Sequence, residues 1–371
     1  MLIERGRNFF DTFAGSPSSN PVVVIHNPVT SRAEYQSFCS EGIKTMSSWI
    51  ASLEERFKTK IAHKTGLLHL PKNIHEQKKW QDIFDKNSFY QQNIVEKSVL
   101  NKYLKKNTNS NLGIWDPNGF WLNPRKFLLL CLRDVARVFN NGAKILMGTE
   151  VRKIKVLEKG VLLTLRTNDS ESEVFFDKVI LATGSKTEEL FNRNSLYLRK
   201  KDYSGKTLKF FTNSGQLSRF TIPEEYCRFF PDFIFCKGGY VTPLIKGAIY
   251  SGSSYDKIKN EDSFLIDKNN KYNFARMCNI YDKFDRNINV SYYRSERCTS
   301  SDKLPVVGKI GNRLDSDLYM FSALASRGFS YGPLLAEILA SEIISEIFDS
   351  SIENEDAFNR FSQLVNPFRS V

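Results

Sequence analysis

The hydrophobic pattern changes period between residues 318 and 340. Leu318-Tyr319-Met320-Phe321 opens a short apolar run, as expected of a strand covered on both faces. A tight turn follows at Gly328, whose permissive backbone suits it. The chain then predicts a long helix, with Pro333 in the first turn, where its missing N–H costs nothing. Such a helix start points free backbone N–H groups at whatever precedes it and binds an anion or an electron-rich edge. Plain α/β packing produces the same strand, turn and helix.

Other segments declare themselves in the same way. From Ala33 to Phe57, Tyr35, Phe38, Ile43, Met46, Trp49, Ile50 and Leu53 recur at helical spacing and predict one long helix. Residues 77–106 read as polar, helical and lysine-bearing, and Pro124 to Phe139 as a further helix. Residues 148–165 alternate as strands. Phe175 to Gly184 reads as an apolar strand ending in Ala182-Thr183-Gly184, small residues that let a backbone approach a ligand closely. Asn354 to Val371 reads as a polar, peripheral tail.

Composition narrows the class. The 371 residues suffice for two domains or one large discontinuous one. Apolar content of 41% with 13% aromatics is that of a globular protein. No run nears the roughly 18 apolar residues of a membrane helix; Phe127 to Leu132 is the longest candidate. Residues 1–13 carry Glu4, Arg5, Arg7 and Asp11, so they lack the apolar centre of a signal peptide, and a cytoplasmic location is expected. The six cysteines form no C-x-x-C pair and fit reduced thiols; the four histidines show no zinc spacing, and no metal is expected.

A formal charge of +12 favours a polyanionic partner, nucleic acid above all, although a chain this rich in Lys and Asn acquires such a charge from composition alone. The densest basic run is Leu198-Arg199-Lys200-Lys201, suited to an RNA backbone or to a solvated loop.

Arg297-Cys298-Thr299-Ser300-Ser301-Asp302-Lys303-Leu304-Pro305-Val306-Val307-Gly308 is an arginine, a polar turn and an apolar segment ending in glycine. With the block Ser326-Arg327-Gly328-Phe329 it resembles the C-terminal signature of the glycine oxidase/D-amino-acid oxidase class of FAD-dependent oxidoreductases. There R-x4-D-x-L-P-x-x-G precedes a strand and an S-R-G turn at the flavin. Within that class it looks most like the oxidoreductase domain of a bifunctional tRNA-modifying enzyme. Gly113-Ile114-Trp115-Asp116-Pro117-Asn118-Gly119-Phe120-Trp121-Leu122-Asn123-Pro124 carries that likeness furthest, with core packing as the plainer role for Trp115 and Trp121.

The resemblance implies an α/β fold: an FAD-binding dinucleotide fold of the D-amino-acid oxidase type, lacking its first βα unit, with a second domain on a mixed or antiparallel sheet. The implied division assigns 1–60, 125–190 and 297–350 to the FAD-binding domain, 61–124 and 191–296 to the substrate domain, and 351–371 to a tail. Glu4, with Arg5 beside it, stands where the family's acid accepts hydrogen bonds from the adenosine ribose. Ser19 and Asn20 fall in the loop that passes over the flavin. Val151, Ala182, Thr183 and Gly184 complete the cofactor side, with Arg327, Gly328, Phe329 and Ser330 beside the flavin ring. Arg297 aligns with the arginine that grips the substrate carboxylate, a structural ion pair with Asp302 being the other reading.

The implied reaction is oxidation of the secondary amine of carboxymethylaminomethyl-uridine at the tRNA wobble position, releasing glyoxylate and leaving aminomethyl-uridine. FAD is the cofactor, tRNA the partner, and a methyltransferase acts as a separate or fused companion. A free amino-acid oxidase of the glycine or sarcosine type is the alternative, with a small-molecule amine as partner, as is a flavin-less relative that binds RNA. One departure bears on all three. The G-x-G-x-x-G turn expected about 20 to 30 residues before Glu4 is absent from the chain. A reading frame that starts late is the favoured explanation, and residues 1–371 alone are expected to retain flavin weakly.

Overall fold

The computed structural model describes residues 1–6, 16–86, 93–104, 110–139, 143–168, 170–194, 196, 208–256, 263–280, 288–310, 317–348, 356–367 and 369. The basic run at 199–201 lies outside them.

The chain opens with β1 (Leu2–Ile3), β2 (Val23–Ile25) and α1 (Ala33–Phe57). Then come β3 (Ala62–Lys64), β4 (Leu67–His69), α2 (Ile74–Lys86), β5 (Ile94–Glu96), α3 (Lys97–Leu104), β6 (Leu112–Asp116) and β7 (Phe120–Leu122). The next elements are α4 (Pro124–Val138), β8 (Ile145–Leu146), β9 (Glu150–Val156), β10 (Val161–Arg166), β11 (Glu171–Phe176), β12 (Val179–Leu181) and α5 (Thr187–Arg193). β13 (Phe210–Thr221), β14 (Ile234–Cys236), β15 (Tyr240–Val241) and β16 (Ala248–Gly252) lead to α6 (Ser263–Cys278). The chain finishes with β17 (Val290–Ser300), β18 (Val306–Ile310), β19 (Leu318–Ser322), α7 (Gly328–Phe348) and α8 (Asp356–Val365).

Two units divide it. One comprises 1–19, 129–213 and 296–371, the other 20–128 and 214–295. This differs from the expected division at five places: 20–60 and 125–128 join the second unit, and 191–213, 296 and 351–371 join the first. The strand pairing explains the first shift. β2 and β3 both flank β7 in one three-stranded sheet, so the segment from Asn20 onward is held by partners from 61–124.

The first unit contains a sheet of order β12-β19-β18, with β12 and β19 parallel, the parallel pair β1-β8, and the antiparallel meander β11-β10-β9. Leu318, Tyr319 and Met320 are fully buried, as a parallel strand covered on both faces requires. Leu318 and Met320 share a core with Leu163, Leu165 and Leu181, and Ile3 and Leu146 pack against it. Burial of each such side chain stabilises the fold by about 1.5–3 kcal/mol relative to exposure. The apolar stretch 175–184 is two strands rather than one. β11 ends at Phe176 and β12 begins at Val179, because Lys178 turns aside to donate to Asp317 at 2.8 Å and to the Tyr319 hydroxyl at 3.0 Å.

The segment after 350 is no peripheral tail where it is described. Phe361 and Val365 are buried, α8 packs on β18, and Arg369 pairs with Asp302. Gly308 explains its own identity here: its φ is 128°, and an added Cβ would lie 3.1 Å from the Pro367 ring.

The second unit holds the sheet β2-β7-β3 and most of an eight-stranded sheet of order β17-β13-β16-β15-β14-β4-β6-β5. α1 spans the predicted residues and buries Phe38, Ile43, Met46, Ile50 and Leu53. Residues 77–106 are not one helix. β5 interrupts them, with Val95 opposite Gly113, because Ile94 and Val95 are β-branched and have an open strand to pair with. Trp115 is partly buried and packs against the core, stacked on Tyr103 at 5.9 Å and edge-on to Phe233. It also fixes Gly66, whose φ is 70° and whose Cβ would fall 2.4 Å from the indole.

Candidate functional site

The turn between β19 and α7 is built differently from the sequence expectation. Gly328 is not in the left-handed region. Ala323 (φ 60°) and Ala325 (φ 52°) are. An L-residue there costs roughly 1–2 kcal/mol, so surrounding contacts must hold it. They are visible: the Ala325 N–H donates to the Cys298 carbonyl at 3.0 Å, and Arg327 N–H donates to the Leu324 carbonyl at 3.1 Å. The Tyr331 hydroxyl donates to that same Leu324 carbonyl at 3.1 Å. α7 begins at Gly328, so Pro333 lies inside the helix rather than in its first turn. The helix starts early because the Arg327 carbonyl accepts from Ser330 N–H (2.8 Å) and Tyr331 N–H (3.3 Å), closing one turn before the proline.

The turn after β12 carries Ala182, Thr183 and Gly184. Gly184 has φ 53°, and a Cβ built on it would meet nothing within 4 Å, so the space before it is open. Behind it runs a chain of hydroxyls. Thr187 lies 3.0 Å from the Thr183 hydroxyl, donates to the Gly184 carbonyl at 2.8 Å, and lies 2.7 Å from the Ser322 hydroxyl. Ser322 in turn donates to the Cys298 sulfur at 3.8 Å. Burial pushes the Cys298 thiol above its ordinary pKa, so it is a neutral packing group. This network joins three blocks: Thr183-Gly184, Ser322 to Arg327, and Arg297-Cys298. Thr187 and Ser322 were not singled out in the sequence; the only signal for Thr187 is its place three residues after Gly184.

Arg297 is buried on β17, 6% exposed. Asp302 is not its partner. That carboxylate accepts from the Ser300 hydroxyl (2.7 Å), the Leu304 N–H (3.0 Å) and both Nε (2.6 Å) and Nη2 (2.9 Å) of Arg369. Burial alone would raise the Asp302 pKa, but the hydrogen bonds from Arg369, Ser300 and Leu304 outweigh it and hold the carboxyl below the usual range.

Just past β1, Glu4 N–H donates to the Leu146 carbonyl (2.9 Å), and the Glu4 carbonyl accepts from Thr149 N–H (3.0 Å). The β1-β8 pairing thus brings Glu4, Arg5 and the start of β9 with Val151 together. One Glu4 oxygen already accepts from Gly6 N–H at 3.0 Å. Ser19 closes a short turn onto the Ser16 carbonyl at 2.7 Å. Asn20 belongs to the second unit, and its buried Oδ1 accepts no hydrogen bond among the described residues. Phe329 is half-buried and Ser330 buried at the start of α7.

These features fit a flavin dinucleotide at its two ends. Within the first unit, Glu4 and the β8–β9 turn suit the adenosine ribose, and the open space at Gly184 admits a close ligand. The middle of the cofactor, its pyrophosphate, finds no glycine-rich turn in the chain. No group of metal-ligating side chains occurs among the described residues. No helix there is long and apolar enough to cross a membrane.

The family of FAD dependent oxidoreductases known as DAO matches residues 10–342, and the chain belongs to that family. FAD is its cofactor. Among curated proteins, the tRNA 5-methylaminomethyl-2-thiouridine biosynthesis bifunctional protein MnmC of Marinobacter nauticus is 21% identical over 315 residues, 81% of this chain and 46% of that protein. MnmC of Aromatoleum aromaticum is 26% identical over 157 residues, 38% of this chain and 24% of its own. The chain therefore spans about half, or less, of the curated relatives it matches. Two solved structures share the fold. Iminodiacetate oxidase from Chelativorans sp. BNC1 gives a TM-score of 0.74 at 11% identity, covering 99% of both chains. Glycine oxidase from Geobacillus kaustophilus gives 0.69 at 14%, covering 99% of this chain and 90% of its own.

Proposed function

We infer that this chain oxidises a secondary amine carrying a carboxymethyl group, on carboxymethylaminomethyl-uridine at the tRNA wobble position, with glyoxylate and aminomethyl-uridine as products. The observation that carries this reading is Arg297: a buried guanidinium whose neighbour Cys298 is bonded, through its carbonyl and its sulfur, to the turn and strand end expected beside the flavin. A substrate carboxylate needs a planar, two-pronged donor held in place. The MnmC relatives favour tRNA as the bearer of that carboxylate. A cytoplasmic setting and a companion methyltransferase, separate or fused, go with that reading.

FAD, when bound, accepts a hydride from the carbon beside the amine nitrogen. The protein's part is orientation. Arg297 would grip the carboxylate and so fix which methylene faces the cofactor. Glu4 and Val151 would hold the adenosine end, while Gly184 and the backbone from Arg327 to Ser330 would line the flavin end. The imine left by oxidation takes up water and separates into glyoxylate and the primary amine.

Oxidation of a free amino acid is the second reading, favoured by the fold shared with glycine oxidase and iminodiacetate oxidase. Supplying flavin-loaded protein with modified tRNA, and separately with glycine and sarcosine, distinguishes them: glyoxylate from tRNA alone supports the first.

A further inference from the structure

Residues 54–64 join the end of α1 to β3 and concentrate charge. They hold two acids, Glu54 and Glu55, against Arg56, Lys58, Lys60 and Lys64. Glu54 is already engaged: one carboxylate oxygen accepts from Ile61 N–H at 2.6 Å and Ala62 N–H at 2.9 Å. Lys126, at the start of α4, is brought in by donating to the Lys60 carbonyl at 2.7 Å. Lys58, Lys60 and Lys64 are exposed, and none of the four ammonium groups pairs with a carboxylate among the described residues. Lys178 and Lys309, by contrast, both meet Glu346.

Strand register locates the cluster. Ala62 and Val23 both lie opposite Leu122, so the Lys60 end of β3 stands at the same end of the sheet as the loop of Asn20. Next along β3, His63 stacks on Trp121 at 4.0 Å with the rings within 11° of parallel. Burial, then the charges of Lys60 and Lys126, holds the His63 imidazole below its ordinary pKa against the opposing pull of Glu54.

We propose that Lys58, Lys60, Lys64 and Lys126 form a docking surface for the phosphate backbone of RNA that runs along β3 from the end beside the Asn20 loop. This rests on the tRNA reading above. Hydrated ammonium groups on flexible stems suit a row of phosphates, whereas a lone substrate carboxylate calls for a guanidinium fork.

The test measures binding of an unmodified tRNA transcript to the full chain across a salt series, which needs no flavin. Lys60→Gln/Lys64→Gln removes two charges without touching the core, and Lys153→Gln/Lys155→Gln on β9 is the matched control. Loss of two phosphate contacts should make the slope of log affinity against log salt shallower by about 2. The control, and the charge-retaining Lys60→Arg/Lys64→Arg, should keep the wild-type slope. If wild type binds with a steep salt dependence and Lys60→Gln/Lys64→Gln is unchanged, or the control loses as much, the surface is wrong and the tRNA reading stands. If wild type does not bind tRNA at all, both fall.

Discussion

The hydroxyls of Thr187 and Ser322 meet at 2.7 Å in the core of the first unit, although 135 residues separate them in the chain. Each is essentially removed from water, so each needs the other. Thr187→Val should cost on the order of 1–3 kcal/mol, because it leaves the buried Ser322 hydroxyl only the Cys298 sulfur and takes the hydroxyl donor from the Gly184 carbonyl. Thr187→Val/Ser322→Ala should cost less than the sum of the single changes. Chemical denaturation of the four proteins checks this; strict additivity would mean the two hydroxyls are not coupled.

Ala323 and Ala325 hold left-handed backbone that glycine adopts freely. Replacing either by Gly should stabilise the protein, by about 0.5–1 kcal/mol after the extra entropy of an unfolded glycine is deducted. Ala325→Val should destabilise it by more than that. Thermal melts of the three variants decide the sign, and a loss of stability in both glycine variants would contradict the strain.

Asp302 and Arg369 make a pH-dependent clasp. The folded Asp302 pKa lies below its ordinary value, so its contribution is present at neutral pH and is lost as pH falls through the folded pKa. Asp302→Asn should cost on the order of 3 kcal/mol at pH 7, since it leaves the buried Arg369 guanidinium unpaired. The gap between variant and wild type should close in acid, below about pH 4. Stability curves at several pH values measure this; a gap that widens on acidification would be the wrong sign.

What could be read from the sequence follows the range of each interaction. α1 emerged residue for residue because its amphipathic period is local. The break at β5 did not, since Ile94 and Val95 choose strand only because β6 offers an edge. Arg297 and the A-T-G turn stood out through motif order. Their physical link through Thr187, Ser322 and Cys298 did not, because ordinary Thr and Ser residues carry no signal until distant strands align. The clasp was missed for the same reason: 67 residues separate Asp302 from Arg369, and a polar C-terminal sequence hides the two apolar anchors, Phe361 and Val365.

Arg297 should act on substrates that carry a carboxylate and only on those. Arg297→Lys keeps the charge but loses the fork, and Arg297→Ala should cost more, about 2–5 kcal/mol in kcat/KM by comparison with truncating a buried charged pair. The loss should appear with the carboxymethylated nucleoside and vanish with an analogue lacking the carboxylate. Equal losses on both would make Arg297 structural.

The most direct measurement mixes flavin-loaded protein, without oxygen, with tRNA bearing carboxymethylaminomethyl-uridine and follows the flavin absorbance while the tRNA is digested for nucleoside analysis. The account predicts that the flavin bleaches, one glyoxylate appears per flavin reduced, and aminomethyl-uridine replaces the substrate nucleoside. A flavin that stays oxidised with this tRNA, yet bleaches with glycine or sarcosine, would contradict it.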